Sequence, residues 1–283
     1  MPTFKEALKS AQKELAEVEV YEQSAQLLML ELADQQASDL YSNYETAMPD
    51  DLYHSFIVGI ERLKMHEPLQ HILGYHWFYG RKFSVNEDVL IPRYETEELV
   101  ANVLMEIDEH FPNNEVKIVD IGTGSGAIAI SLALEEPRVC MYASDISEKA
   151  LTIAQVNAQA LDANISFIQG DMLEPLIVSK IKVDVLVSNP PYIPKNQNIE
   201  TSVKNFEPSI ALFGGEDGLH FYRKILKGAH KVINDKSILA FEIGFDEKEA
   251  ILSLADEYFP NDRKEVLKDI NNKDRMLFIY HGC

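Results

Sequence analysis

The chain has 283 residues, about twice an ordinary domain of roughly 150, so two domains are expected and the core can be substantial. With 46% hydrophobic and 25% charged residues it has the mixture of a folded globular protein and not of a disordered one. Its 26 Lys and Arg against 46 Asp and Glu leave a net charge of −20, which makes nucleic acid a disfavoured direct ligand and favours basic partners.

Only Cys140 and Cys283 are present, so neither a disulfide framework nor a cysteine metal site is expected. No apolar signal core opens the chain, and no run of about 18 apolar residues occurs. Those features predict a cytoplasmic protein without a membrane partner.

Phe4, Leu8, Ala11, Leu15 and Val18 step by four and three, the spacing of one helix face. Ala25, Leu28, Met29 and Leu32 predict a second helix, and Leu52, Phe56, Ile57, Ile60 and Leu63 a third, with Asp50 and Asp51 as its capping candidates. Residues 1–75 thus read as a small helical domain. The aromatic and β-branched stretch "HWFYGRKFSVNEDVLIP", with Gly80 as a turn, predicts a hairpin linker over 76–92.

From residue 93 to 283 a second domain is expected. "ETEELVANVLMEIDEHF" returns to helical spacing, and strands then alternate with helices: "VKIVDIG", "RVCMYASD", "ISFIQGD", "VDVLVSNPP", "SILAFEIG" and "RMLFIYH". That alternation predicts an α/β fold with a mainly parallel sheet and ligands at the carboxyl ends of its strands. The basic stretch "YRKILKGAHK", with Arg223, Lys224, Lys227 and Lys231, reads as a solvated helix face.

In "VDIGTGSGAIAI", Gly122, Gly124 and Gly126 follow a strand and open a helix, so the backbone can turn sharply against a ligand at a helix N-terminus. Because Ala127 completes a G-x-G-x-x-A pattern, both a dinucleotide enzyme and a methyltransferase using S-adenosylmethionine fit the loop. Asp145, ending the next strand, suits either as an acceptor for ribose hydroxyls, or it caps the helix after it. Asp171 ends the third strand, where its carboxylate can face an adenine amino group or cap a turn.

The fourth strand ends in Asn189, Pro190, Pro191 and Tyr192. A residue before proline is driven to extended geometry, so the chain is stiff there and no helix can start. Prolines donate no N–H, which leaves the Asn189 side-chain carbonyl and the Pro190 carbonyl as acceptors at the mouth of the sheet. Such a pair can hold a planar nitrogen bearing two N–H donors while the Tyr192 ring stacks on it. If a methyl sulfonium lies beyond that nitrogen, the reaction is an in-line displacement assisted mainly by positioning.

Asn-Pro-Pro-Tyr is shared with adenine-N6 and cytosine-N4 DNA methyltransferases, but the surrounding strings narrow the choice. "EPLQHILGYHWFYGRKFSVNEDVLIPRYETEELV", "DIGTGSGAIAISLA", "FEPSIALFGGEDGLHFYRKI", "FEIG" and "DRMLFIY" resemble the HemK-like (PrmC) glutamine-N5 methyltransferases, which act on the Gly-Gly-Gln motif of class 1 peptide chain release factors. The likeness spans about residues 67 to 281, with helical character alone in the first 66.

The resemblance implies a Rossmann-like class I S-adenosylmethionine-dependent methyltransferase domain behind a helical substrate-recognition domain. It implies that Gly122, Thr123, Gly124, Ser125, Gly126 and Asp145 hold S-adenosylmethionine, with Asp171 and Met172 near its adenine and Asn189 beside it. Asn189, Pro190, Pro191 and Tyr192 are implied as the catalytic residues that receive the glutamine, under a segment carrying Arg93, Glu95 and Thr96. Tyr94 stands where the family usually has Pro. The rival expectations are a nucleobase amino-methyltransferase, which needs a basic groove and an extruded base, an NAD-linked oxidoreductase, which leaves the proline motif idle, and a noncatalytic cofactor-binding protein.

Overall fold

The computed structural model describes residues 1–283 and divides into two compact units. One comprises Met1–Tyr75 together with Ile199–Phe206; the other comprises His76–Asn198 and Glu207–Cys283. The second unit thus takes in the hairpin stretch and gives up eight residues to the helical one.

The helical unit starts with α1 (Phe4–Glu17), which a reciprocal capping box fixes: the Glu6 N–H donates to the Thr3 hydroxyl and the Thr3 N–H donates to the Glu6 carboxylate. Helices α2 (Gln23–Ala33), α3 (Ala37–Ser42), α4 (Asp50–Lys64) and α5 (Leu69–Leu73) follow. Leu15, Leu28, Met29, Leu40, Phe56 and Ile60 are buried among them. At Gly59 an added Cβ would lie 2.6 Å from Leu28 Cδ2, so α2 and α4 approach closely where one side chain is missing. Pro49 occupies the N-cap of α4, which puts Asp50 and Asp51 in its first turn; they face the positive helix end instead of capping it.

Strand β1 (Tyr75–Phe78), which belongs to the second unit from His76 on, and β2 (Arg81–Ser84) form a two-stranded sheet. Its turn has positive φ at both Tyr79 and Gly80, the geometry that matches strand twist in a two-residue hairpin. Helix α6 (Tyr94–His110) leads into a seven-stranded sheet built from β3 (Val116–Ile121), β4 (Val139–Asp145), β5 (Ile165–Gln169), β6 (Val183–Ser188), β7 (Ile233–Glu242), β8 (Arg263–Lys268) and β9 (Asp274–His281). The order is β5-β4-β3-β6-β7-β9-β8, and only β9 runs antiparallel, to both β7 and β8. Helices α7 (Ala127–Glu135), α8 (Glu148–Ala160), α9 (Glu174–Ser179), α10 (Thr201–Phe206, in the helical unit), α11 (His220–Ala229) and α12 (Lys248–Tyr258) complete the chain.

Both faces of the sheet are covered. Along β3, Ile118 enters one apolar cluster with Leu99, Ile130 and Phe278, while Val119 enters the other with Leu226, Phe241 and Ile251. Burial on both sides is why the parallel strands are nearly continuous runs of apolar residues. Strand order reverses between β3 and β6, and the loops leaving their carboxyl ends diverge there to open a crevice.

Candidate active site

The crevice is a cleft with about 750 Å³ of empty volume, the open solvent at its mouth included. Gly122 and Gly124 line it after β3, Asp145, Ile146 and Ser147 after β4, Gly170, Asp171 and Met172 after β5, and Asn189 and Pro191 after β6. Leu90, Pro208, Ile210 and Phe221 close it with apolar surface.

The glycine loop is fixed by its backbone. The Gly122 and Thr123 N–H groups donate to the Ser144 carbonyl at 2.8 and 3.0 Å, tying the loop to the end of β4. Gly122 and Gly124 have φ of 74° and 55°, and a Cβ at either would meet nothing within 4 Å, so their open sides leave room for close approach of a ligand. Thr123, Ser125 and Gly126 are not cleft residues. Thr123 donates to buried Asp120 at 2.6 Å, the Ser125 carbonyl accepts from Asn157, and Gly126 packs against Ile130 and Ala154 of α7 and α8. Burial pushes the Asp120 carboxyl up to about 7, against the Thr123 hydrogen bond.

Asp145 accepts from the Gly124 N–H and the Ser147 N–H, both at 2.9 Å. Each oxygen keeps a second lone pair, so two further donors can be accommodated. Burial raises its pKa while those N–H groups oppose the rise. Asp171 forms an ion pair with Lys224 of α11, and Arg223 pairs with Asp217. The basic stretch is therefore half neutralised, leaving Lys227 and Lys231 exposed as a solvated face.

At the end of β6 Pro190 is buried and Asn189 half-buried. The Asn189 Nδ2 donates to Thr96 Oγ1 at 3.2 Å, and Thr96 Oγ1 donates to Glu242 Oε2 at 2.6 Å. The Tyr192 hydroxyl lies 3.4 Å from Glu242 Oε1. Glu242 ends β7, one strand over from Asn189, and is buried; burial raises its pKa, with Thr96 and the Arg275 guanidinium pulling it down. Burial and then the Glu242 charge likewise lift the Tyr192 phenol above its usual range. No backbone N–H of the chain donates to the Pro190 carbonyl, so that acceptor stays available.

Behind the motif the chain is clamped. Ile193 exchanges backbone hydrogen bonds with Leu212 and Gly214. A Cβ on Gly214 would lie 2.5 Å from the Pro191 carbonyl oxygen and 2.8 Å from Tyr192 Cα, and one on Gly218 would lie 2.5 Å from the Tyr192 carbonyl oxygen. Glu207 is buried and braces the other side: Arg93 donates to its Oε1 at 2.6 Å and the Ile91 N–H to its Oε2 at 3.0 Å. Arg93 and Glu95 are half-buried.

Residues 6–74 match the PrmC N-terminal domain and residues 100–207 the methyltransferase small domain. Release factor glutamine methyltransferases of Bacillus cereus and Bacillus subtilis are each 42% identical to the chain, over 96% and 98% of it and 97% of each relative. The chain belongs to the release factor glutamine methyltransferase family. A methyltransferase of Pyrococcus furiosus shares the fold, with a TM-score of 0.52 at 17% identity over 72% of this chain and 91% of that one.

The resemblance implies a proline before Glu95, where this chain has Tyr94. Tyr94 occupies the first position of α6 behind an extended Arg93, where a backbone N–H has no helical acceptor in any case. The helix start survives the exchange, and the exposed Tyr94 ring packs edge-on to His76 at 5.3 Å. Glu242 and Glu207 are the site residues that sequence reasoning missed as individuals. A carboxylate closing the apolar strand "SILAFE" was the available signal for Glu242; for Glu207 there was none beyond its place in the family string.

Proposed function

We propose that the protein transfers a methyl group from S-adenosylmethionine to the side-chain nitrogen (N5) of the glutamine in the Gly-Gly-Gln motif of class 1 peptide chain release factors. The carrying observation is the pairing, at one cleft, of an open glycine cradle with Asn189 braced from behind by Thr96, in a chain 42% identical to release factor glutamine methyltransferases.

The cradle fits the methyl donor. Gly122 and Gly124 let its amino-acid end approach the main chain, and the spare lone pairs of Asp145 suit two ribose hydroxyls. Met172 and Ile146 supply apolar faces for a purine, with Asp171 at its edge. S-adenosylmethionine brings a sulfonium methyl group that is open to attack from the side opposite sulfur.

Asn189 Oδ1 and the Pro190 carbonyl accept the two N–H groups of the glutamine amide and turn its nitrogen lone pair toward the methyl carbon. Methyl transfer to that nitrogen would break the donor's carbon–sulfur bond, release S-adenosylhomocysteine and lose one amide proton to water. Acceptors aimed at the positive charge growing on nitrogen lower the barrier beyond positioning alone. Asp145 and Asp171 belong to the donor's side of this arrangement, Tyr192 and the Arg93–Thr96 segment to the substrate's. The helical unit supplies the larger surface that recognition of a whole protein requires, and the acidic chain suits a release-factor domain that must also meet ribosomal RNA.

Purified protein, S-adenosylmethionine and an unmodified class 1 release factor should give one added methyl group on the Gly-Gly-Gln glutamine by peptide mass spectrometry. The association rate should fall as salt is raised. No mass shift with intact donor binding would redirect the search to other amides and to nucleobases, and a salt-independent rate would remove the electrostatic attraction.

A further inference from the structure

An asparagine amide can be seated two ways. Rotating it by half a turn exchanges Oδ1 and Nδ2, and only one seating offers an acceptor to a substrate N–H. The other points a donor at a donor. At the end of β6 the group that discriminates between them is Thr96, whose Oγ1 lies 3.2 Å from Asn189 Nδ2.

A hydroxyl alone does not discriminate, because it donates as readily as it accepts. Glu242 removes the ambiguity. Its Oε2 accepts the hydrogen bond of the Thr96 hydroxyl at 2.6 Å, which leaves only lone pairs on the Thr96 oxygen for Asn189. The orientation is thus handed from a buried carboxylate on β7, through a buried hydroxyl on α6, to the amide at the end of β6. Glu242 is itself held in place: its backbone carbonyl accepts from the Tyr222 hydroxyl at 2.6 Å, and the Tyr192 hydroxyl lies at its second oxygen.

We propose that Thr96 and Glu242 are positioning residues for the methyl transfer, locking the Asn189 amide with Oδ1 toward the substrate nitrogen. This rests on the reading above that the substrate is an amide with two N–H donors, and it assigns a separate task to a residue of the Arg93–Thr96 segment. Thr96 serves the substrate from behind Asn189. Tyr192 shares the same carboxylate, so the stacking ring and the acceptor amide are registered against one common group.

Thr96→Val keeps the shape and removes the lone pair. Its kcat should fall roughly 10- to 100-fold, the range found when a partner that orients a functional ligand is lost, with KM for the release factor and Kd for S-adenosylmethionine within about threefold. Thr96→Ser should recover kcat to within about fivefold of the parent. Glu242→Gln, whose amide can donate to Thr96 or accept from it, should also lose kcat while binding both substrates. A merely structural hydroxyl would lower Tm and leave kcat per folded molecule unchanged; Thr96→Val within threefold of the parent kcat overturns the proposal.

Should Thr96→Val fail to fold, the parent protein decides. With asparagine ¹⁵N-labelled, the Asn189 side-chain NH₂, assigned by its loss in Asn189→Asp, should show one proton protected from solvent exchange. Exchange as fast as that of an exposed asparagine overturns the proposal. A parent enzyme that methylates no release factor sinks the substrate reading and leaves the amide measurement standing. An active parent with an equally active Thr96→Val variant sinks only the positioning role.

Discussion

The two walls of the cleft are built from different material. On the glycine-loop wall the loop itself meets the opening with main chain, shaped by φ of 74° and 55° at Gly122 and Gly124 and anchored to the Ser144 carbonyl, beside the Asp145 carboxylate. On the Asn-Pro-Pro-Tyr wall the side chain of Asn189 meets the opening, resting on buried Thr96, and Thr96 on buried Glu242. Main-chain donors are set by the fold and survive most substitutions nearby. A side-chain stack transmits orientation, and removing one member leaves the next unsatisfied in a buried place.

The largest difference between the walls should come from Asn189→Ala. It deletes the outermost member of the stack, and turnover should fall by about 100-fold or more with the fold retained. Activity above about a tenth of the parent, measured by methyl incorporation, would sink the acceptor role. Gly214→Ala attacks the same wall from behind, since its methyl would press on Pro191 and Tyr192 backbone with no flexible side chain to yield. It should cost about 1 to 3 kcal/mol of stability and displace the motif, lowering kcat more than donor affinity; unchanged kcat and Tm would mean the loop accommodates it.

On the other wall the expected effects are smaller. Asp145→Ala removes the carboxylate that orders the Gly124 and Ser147 N–H groups, and should raise the S-adenosylmethionine Kd about tenfold, with much of the rate recovered at high donor concentration. Calorimetric titration that finds the parent Kd would break the comparison. Beneath the loop, Asp120 provides the mildest test. Its carboxyl is raised to about 7 in the fold from an ordinary value near 3.8, so the native state holds its proton more tightly than the unfolded chain. The associated stability is full below about 4 and is lost as pH rises through about 7. Tm should drop between about pH 4 and 7 and level off above that, and Asp120→Asn should flatten that drop; an equal slope in both proteins would assign it to other groups.

Much of this could be seen in the sequence because it is written in repeating patterns. The alternation of apolar strands and helices gave the sheet, and "VDIGTGSGA" and "VSNPPY" fell at strand ends because glycine and proline restrict what the chain can do there. Thr96 offered a further clue, being in step with Leu99, Val100 and Val103 on the buried face of α6, a polar residue on an apolar stripe. What stayed hidden depends on contacts between distant segments. That Thr96 meets Asn189 and Glu242, or that Asp171 meets Lys224, follows from strand order and helix placement, which local spacing does not encode. The short helices α3, α5, α9 and α10 were equally silent, with too few turns to show a period. Edge strand β8, "RKEVLK", is too charged to resemble the buried strands beside it.

The eight residues Ile199–Phe206 belong to the helical unit although Tyr192 before them and Glu207 after them both belong to the other. The first 75 residues are therefore not a detachable cassette. A chimera that exchanged them with a relative's would keep a foreign α10, so inheritance of a new helical unit requires two stretches of gene to change together. One of them lies just downstream of the codons for Asn-Pro-Pro-Tyr.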